Sequence, residues 1–129
     1  MAEMILKQRP RNIGLGDISR YRLPLPGKVS ILHRVSGVGL FLFLGPLLWL
    51  FQTSLTSPEC FERVVASPFT KLVLTGLIWA FLHHFCAGIR FLLLDAHIGT
   101  DIQAARQSAL AVLAASLVLT VILGGALWL

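Results

Sequence analysis

Charged side chains are scarce in this sequence. Only 13% of its 129 residues are charged, with six acidic residues against eleven lysines and arginines. Hydrophobic residues make up 56% of the chain and the mean hydropathy is +0.79, which excludes a soluble domain. Three stretches reach the length of about 20 apolar residues that a helix needs to cross a bilayer. The sequence therefore predicts an all-α integral membrane protein with three transmembrane helices, at about 29–52, 69–95 and 106–128.

Cysteine is also rare. The chain has two, with Cys60 in a polar connection between the first two apolar stretches and Cys86 inside the second stretch. Two thiols in such different surroundings do not make a disulfide framework. We expect both to be structural only.

The shortage of acidic residues leaves a net charge of +5, which could indicate nucleic acid. The basic residues instead collect beside the apolar stretches, and this pattern reports membrane topology. Seven of them fall within residues 1–34, and Arg90 and Arg106 belong to the same side, whereas Arg63 and Lys71 lie on the other. The bias predicts a protein of a bacterial inner membrane, with a cytoplasmic N-terminus, a periplasmic C-terminus and no nucleic-acid partner.

Residues 1–28 are predicted to form a basic cytoplasmic arm ahead of a membrane domain of residues 29–129. Proline and glycine recur too often in the arm for a long helix, and it has no apolar core of a signal peptide. We expect an uncleaved, extended arm that lies on a partner protein or on the membrane surface. Residues 53–70 contain two prolines and two glutamates, and we predict a loop there.

Two adjacent histidines, His83 and His84, lie in the second apolar stretch, where an ionisable side chain indicates function by default. On a helix they point about 100° apart, so they cannot serve one ligand together.

The stripe through His84 carries very small residues: Gly76, Ala80 and Gly88. It leaves a shallow groove for a flat macrocycle such as haem, with His84 as its ligand. The stripe through His83 carries the bulky Trp79, whose indole leaves less room for a macrocycle beside the His83 ring. The alternative is that the small residues serve helix packing and that both histidines hydrogen-bond to neighbouring helices.

A second polar cluster lies where the first span begins. Ser30, His33, Arg34 and Gly37 follow the spacing i, i+3, i+4, i+7 and therefore share one helix face. This face is typical of a polar binding pocket at the membrane surface. The alternative is that Arg34 only anchors the span by reaching the lipid headgroups.

The depth of each histidine limits how iron could be bound. His84 precedes Asp95 by eleven residues, which places it about 16 Å deep. His33 is expected near the surface, at least about 10 Å from His84 along the membrane normal, too far to bind the opposite face of the same ring. A second axial ligand must then come from another chain. His33 and Arg34 are suited to the anionic haem propionates.

Two motifs carry a family resemblance. They are S-x-x-H-R-x-S-G from Ser30 to Gly37 and H-x-x-x-G-I-R-x-x-x-x-D from His84 to Asp95, preceded by Arg-Pro at residues 9–10. Together they resemble the cytochrome b subunit of succinate dehydrogenase, over nearly the whole chain. Arg11 and Leu94 depart from the residues usual in that family, and neither belongs to the predicted chemistry.

The resemblance implies a role for each matching residue. His84 corresponds to one axial ligand of haem b, His33 to a residue near the propionates, and Ser30 and Arg34 to residues of the ubiquinone site. It also implies three partners, namely a second small membrane anchor subunit that supplies the other haem ligand, an iron-sulfur subunit and a flavoprotein subunit. Succinate oxidation would take place in those partners.

Two alternatives remain at this point. A membrane subunit of a fumarate reductase has the same architecture and the opposite physiological direction. A small transporter or channel subunit would also use intramembrane His and Arg. It requires a polar stripe through the membrane, which the third span lacks.

Overall fold

The computed structural model describes residues 14–129 and contains only helices within that range. Five helices follow one another along the chain: α1 Leu15–Arg20, α2 Leu25–Thr56, α3 Pro58–Ala66, α4 Pro68–Asp95 and α5 Ile102–Trp128. Three of them, α2, α4 and α5, are long and apolar enough to cross a membrane. The prediction of an all-α protein with three transmembrane helices is confirmed. The predicted arm lies partly outside the described residues, which include only its positions 14–28.

The predicted loop at 53–70 is wrong, because most of it is helical. Helix α2 continues to Thr56, and α3 occupies Pro58–Ala66. Proline fits the first turn of a helix, where its missing N–H has no partner to lose, so Pro58 and Pro68 start helices here. One face of α3 turns toward the bundle, since Phe61, Val64 and Val65 are half-buried while the other six residues of this helix are exposed. Two prolines and two glutamates favour a loop in the sequence, and the half-buried side chains of α3 show a short amphipathic helix instead.

Helix α4 is the centre of the bundle, because its contacts with α2 and with α5 are more extensive than the contact between those two helices. The side chains buried at the contacts are small or of moderate size: Val29, Ala87, Ala109 and Val112. Small residues let membrane helices approach closely, and close packing replaces the hydrophobic effect that is absent between helices in lipid. Most large apolar side chains, among them Phe41, Leu72 and Val121, point outward. The three spans therefore have a thin core and a wide apolar exterior.

Polar side chains join α4 to α5 at both ends. Near the end of α4, Arg90 donates from Nε to Ser108 Oγ at 3.0 Å and from Nη2 to the Ala105 carbonyl at 3.2 Å. Near its start, Trp128 Nε1 donates to Thr75 Oγ1 at 3.1 Å. The connection between the helices turns through His97 and Gly99, which both have positive φ, and returns α5 alongside α4. The pair is thus fixed in register along its whole length.

Candidate functional site

The imidazole rings of His33 on α2 and His84 on α4 are stacked face to face. Their centroids are 4.1 Å apart and their planes differ by 11°. The predicted separation of at least about 10 Å along the membrane normal is therefore wrong. Because α2 begins at Leu25, His33 is eight residues into the helix and about 12 Å from its start, close to the depth of His84. The start predicted from the sequence, at about residue 29, is too late and places His33 too near the surface.

The stack does not supply two axial ligands, so the expectation that a second ligand would come from another chain stays a prediction. Two axial ligands bind an iron from opposite sides, with their nitrogens in line through the metal. Rings that lie parallel at 4.1 Å have no room for a macrocycle between them and cannot adopt that arrangement. Of these two histidines, one at most could bind a given haem iron in this conformation.

Hydrogen bonds fix the orientation of the His84 ring through one of its nitrogens. Nδ1 lies 3.0 Å from the backbone carbonyl oxygen of His33 and 3.4 Å from Ser36 Oγ. A carbonyl oxygen only accepts, so Nδ1 carries the proton and donates it. Nε2 is then the unprotonated nitrogen, with a lone pair for a metal. Histidines that bind metals commonly have this arrangement, in which the second ring nitrogen donates to a carbonyl or carboxylate.

Glycine allows the two helices to meet at this point. A Cβ added at Gly37 would lie 2.8 Å from Cε1 of His84, which is closer than real Cβ contacts come. A Cβ at Gly88 would lie 3.8 Å from Nε2 of His33, so the His33 ring covers this part of the predicted small-residue groove. At the other end of the groove Gly76 has open space around it. The groove is therefore partly filled by the chain's own histidine.

His83 is in a different environment from His84. It is fully buried, and its ring packs on Trp79 with centroids 5.3 Å apart. Neither of its ring nitrogens has a hydrogen-bond partner among residues 14–129. The backbone of Val29 on α2 faces the His83 ring without reaching hydrogen-bond geometry, so the alternative in which both histidines hydrogen-bond to neighbouring helices stays open for His83. Since its ring has no exposed surface, a macrocycle outside the bundle cannot reach it, whereas His84 is only half-buried.

Ser30 and Arg34 lie on α2 beside His33, and this chain does not enclose them. Ser30 is half-buried and Arg34 is exposed. An apolar cavity of about 620 Å³ lies elsewhere, between α4 and α5, with Arg90 and Ser108 among its lining residues. A closed pocket at Ser30 and Arg34 would need walls from another chain.

Two residues make contacts in the structure that the sequence does not predict. Ser36 was noted only as a member of a motif, yet it is 4% exposed and touches the His84 ring. The only sign of this contact in the sequence is the position of Ser36 three residues after His33. Arg90 was counted as a marker of topology, yet it is 5% exposed and bonded to α5. No signal in the sequence shows which way its side chain turns.

No group of three or more His, Cys, Asp or Glu side chains that could hold a metal ion occurs within the described part of the chain. A haem iron does not need such a group, because the porphyrin supplies four ligands and the protein only the axial ones. A single half-buried imidazole with a free Nε2 is suited to this kind of site.

Comparison with known proteins places the chain in a family. Residues 6–123 match the family described as "Succinate dehydrogenase/Fumarate reductase transmembrane subunit". The chain is 38% identical over 105 residues to a succinate dehydrogenase cytochrome b556 subunit of Paracoccus denitrificans, covering 79% of this chain and 81% of that protein. It is 30% identical over 125 residues to the subunit of the same name from Coxiella burnetii, covering 94% and 98% of the two chains. The relative from Rickettsia felis is 31% identical over 106 residues. The chain therefore belongs to the transmembrane subunits of succinate dehydrogenase and fumarate reductase, as a cytochrome b membrane subunit of the succinate dehydrogenase type.

Proposed function

We propose that this chain binds haem b through His84, with the other axial ligand from a second small membrane anchor subunit, and forms part of a ubiquinone-reduction site with Ser30 and Arg34. One observation carries the haem assignment. His84 Nδ1 lies 3.0 Å from the His33 carbonyl, which leaves Nε2 unprotonated on a half-buried ring. The names of the relatives, cytochrome b556 subunits, support it.

The residues around His84 fit an axial haem ligand. The ring belongs to a transmembrane helix, and a backbone carbonyl of α2 accepts a hydrogen bond from its Nδ1. When bound, haem b supplies a one-electron carrier within the apolar part of the membrane. The role of this chain is to hold the ligand nitrogen, to exclude water with its apolar spans and to provide hydrogen-bond donors for the propionates.

His33 and Arg34 are the residues proposed for the propionates. The His33 ring lies directly beside His84, and the exposed Arg34 follows it in the chain. Propionates are anionic, and a guanidinium is the side chain best suited to bind a carboxylate through two parallel hydrogen bonds. Both residues lie in the half of α2 that is proposed to face the cytoplasm.

The quinone site rests on the chemistry of the donors. A quinone carbonyl oxygen gains negative charge as it is reduced, and hydrogen-bond donors that are already in place stabilise that charge. Ser30 offers a hydroxyl and Arg34 a guanidinium on neighbouring turns of α2. Because this chain leaves both accessible, the iron-sulfur subunit and the second anchor subunit are proposed to complete the pocket. The flavoprotein subunit would oxidise succinate and pass electrons through the iron-sulfur subunit.

A transporter or channel is disfavoured by the hydroxyls of α5. Ser108, Ser116 and Thr120 each donate to a carbonyl of their own helix, so they do not form a polar stripe across the membrane. The fumarate reductase alternative shares the architecture and differs in direction. Comparing the rate of succinate oxidation by ubiquinone with that of fumarate reduction by a reduced quinone distinguishes the two.

The test of the haem assignment is the absorption spectrum of the purified complex. We expect a Soret band and a reduced-minus-oxidised α band of low-spin haem b, with about one haem for each copy of this chain. A complex that carries all its subunits and lacks both bands would contradict the assignment. The membrane-anchor role would be unaffected by that result.

A further inference from the structure

The backbone carbonyl of His33 is shared by two side-chain donors. Ser36 Oγ donates to it at 2.9 Å, and His84 Nδ1 lies 3.0 Å from it. Ser36 is almost fully buried, so water does not replace either donor easily. In an α-helix the same carbonyl also accepts the N–H of the residue four positions later, which is Gly37. One turn of α2 therefore presents a preformed acceptor to a histidine of α4.

Ser36 also contacts the imidazole itself. Its Oγ lies 3.4 Å from His84 Nδ1, and its own hydrogen is directed to the His33 carbonyl. The hydroxyl oxygen therefore turns a lone pair toward the Nδ1–H. The ring proton is held between two acceptors, which disfavours the other tautomer.

Gly37 determines how closely the ring approaches α2. A Cβ at this position would lie 2.8 Å from Cε1 and 3.2 Å from Nδ1 of His84. The obstacle is a ring that is itself held by the His33 stack and the carbonyl. Any side chain larger than hydrogen would push the imidazole away from its acceptor.

We propose that Ser36 and Gly37 are positioning residues for His84: together they fix Nδ1 as the protonated nitrogen and set the angle at which Nε2 is presented to the haem iron. The inference rests on the proposed haem function and extends it, since it assigns the geometry of the ligand to α2 rather than to the helix that carries it. Residues that orient a metal-binding histidine typically change metal affinity by about 10–100-fold when they are replaced.

The first test compares Gly37→Ala with Gly39→Ala in the intact complex. Both changes lie in α2 and raise helix propensity equally, but a Cβ at Gly39 meets nothing within 4 Å. We expect Gly37→Ala to speed haem transfer to apomyoglobin by roughly tenfold or more and to shift the low-spin EPR g values. Gly39→Ala should behave like the wild type in both measurements.

The second test compares Ser36→Ala with Ser54→Ala. Ser54 also donates to a carbonyl three residues earlier in α2, that of Phe51, and the structure places it far along the helix from His84. We expect Ser36→Ala to shift the haem midpoint potential and the EPR g values while haem content stays near that of the wild type. Ser54→Ala should change neither. If Gly37→Ala prevents assembly, this comparison decides the proposal.

Two outcomes would overturn the proposal, and they separate it from the haem assignment. If both Gly37→Ala and Ser36→Ala match their controls while His84→Leu abolishes the low-spin spectrum, His84 is the ligand and the positioning role is wrong. If His84→Leu retains the wild-type spectrum, the proposed ligand and the positioning role fail together.

Discussion

At the scale of single residues, the two histidines of α4 illustrate how one position decides the chemistry open to a side chain. His83 turns into the bundle, where its ring nitrogens have no hydrogen-bond partner of good geometry within residues 14–129, and His84 turns toward α2, where Nδ1 meets a carbonyl. Leaving a buried polar group without a hydrogen bond costs about 1–3 kcal/mol. His84 avoids this cost through the contact of Nδ1 with the His33 carbonyl.

Replacing each histidine by leucine tests which of them binds haem. His84→Leu removes the proposed Nε2 ligand and should abolish or severely perturb the low-spin haem spectrum of the purified complex. His83→Leu removes only a buried ring without hydrogen bonds, so the spectrum should remain nearly unchanged. Interchanged effects would show that the assignment of the two helix faces is wrong.

The residues proposed for ubiquinone predict a selective loss of activity. Ser30→Ala preserves helix propensity, so the complex should assemble, bind haem and reduce ubiquinone more slowly. Arg34→Leu removes a charge proposed for both quinone and propionate and should reduce this rate further, with a shift in the haem spectrum. Succinate oxidation by a soluble dye that bypasses quinone serves as the control and should persist in both variants. Normal quinone reduction at unchanged complex levels would leave Arg34 as a headgroup anchor only.

At the scale of helices, the contact between α4 and α5 depends on a buried cation bound to neutral oxygens. Arg90 donates to Ser108 Oγ and to the Ala105 carbonyl. Hydrogen bonds from a charged group contribute about 1.5–3 kcal/mol each, more than those between neutral groups. This pair of helices is therefore held by polar contacts as well as by its small apolar residues.

Ser108→Ala should destabilise this contact more than Ser116→Ala. Both hydroxyls donate to a carbonyl three residues earlier in α5, but only Ser108 also accepts from Arg90. Removing it leaves the buried Nε–H unpaired, at a cost of about 1–3 kcal/mol. Thermal unfolding of the detergent-solubilised complex should show a lower midpoint for Ser108→Ala. Equal midpoints for the two variants would mean that the Arg90 contact adds nothing to stability.

At the scale of the whole molecule, three spans with a thin core leave most of their apolar surface to lipid and to other subunits. Helix faces such as those with Phe41 and Phe85 are exposed on the isolated chain. The proposed haem and quinone sites are likewise incomplete, since each lies at a surface of the bundle. The chain is built as one part of a membrane complex.

The predicted orientation of the chain in the membrane rests on nine Lys and Arg on one side and two on the other. A reporter that is active only in the periplasm should be active when fused after Leu129 and inactive when fused near Gly99. A reporter active only in the cytoplasm, fused at the same two positions, provides the complementary control. The reverse pattern would move the proposed quinone site to the periplasmic side.

The sequence by itself determined the class of protein and the residues that could carry chemistry. Long uncharged stretches cross lipid as helices because each segment then satisfies its own backbone polar groups, and His83 and His84 stand out because an ionisable group there is costly. These features depend on composition and on spacing along one helix, so they can be recognised without knowing how the helices pack against each other. Helix α3 was not predicted, because in a sequence a proline in the first turn of a helix looks the same as a proline that ends a helix.

Only the tertiary structure decided how α2 and α4 meet. The depth of His33 relative to His84 depends on where helices α2 and α4 begin and end. Helix α2 begins at Leu25, a few residues earlier than predicted, and this places His33 at the depth of His84 rather than at the surface. The contact of the ring with Ser36 and Gly37 joins residues about 48 positions apart in the chain. No periodicity within one helix reports such a contact, because it is set by the packing of the helices against each other.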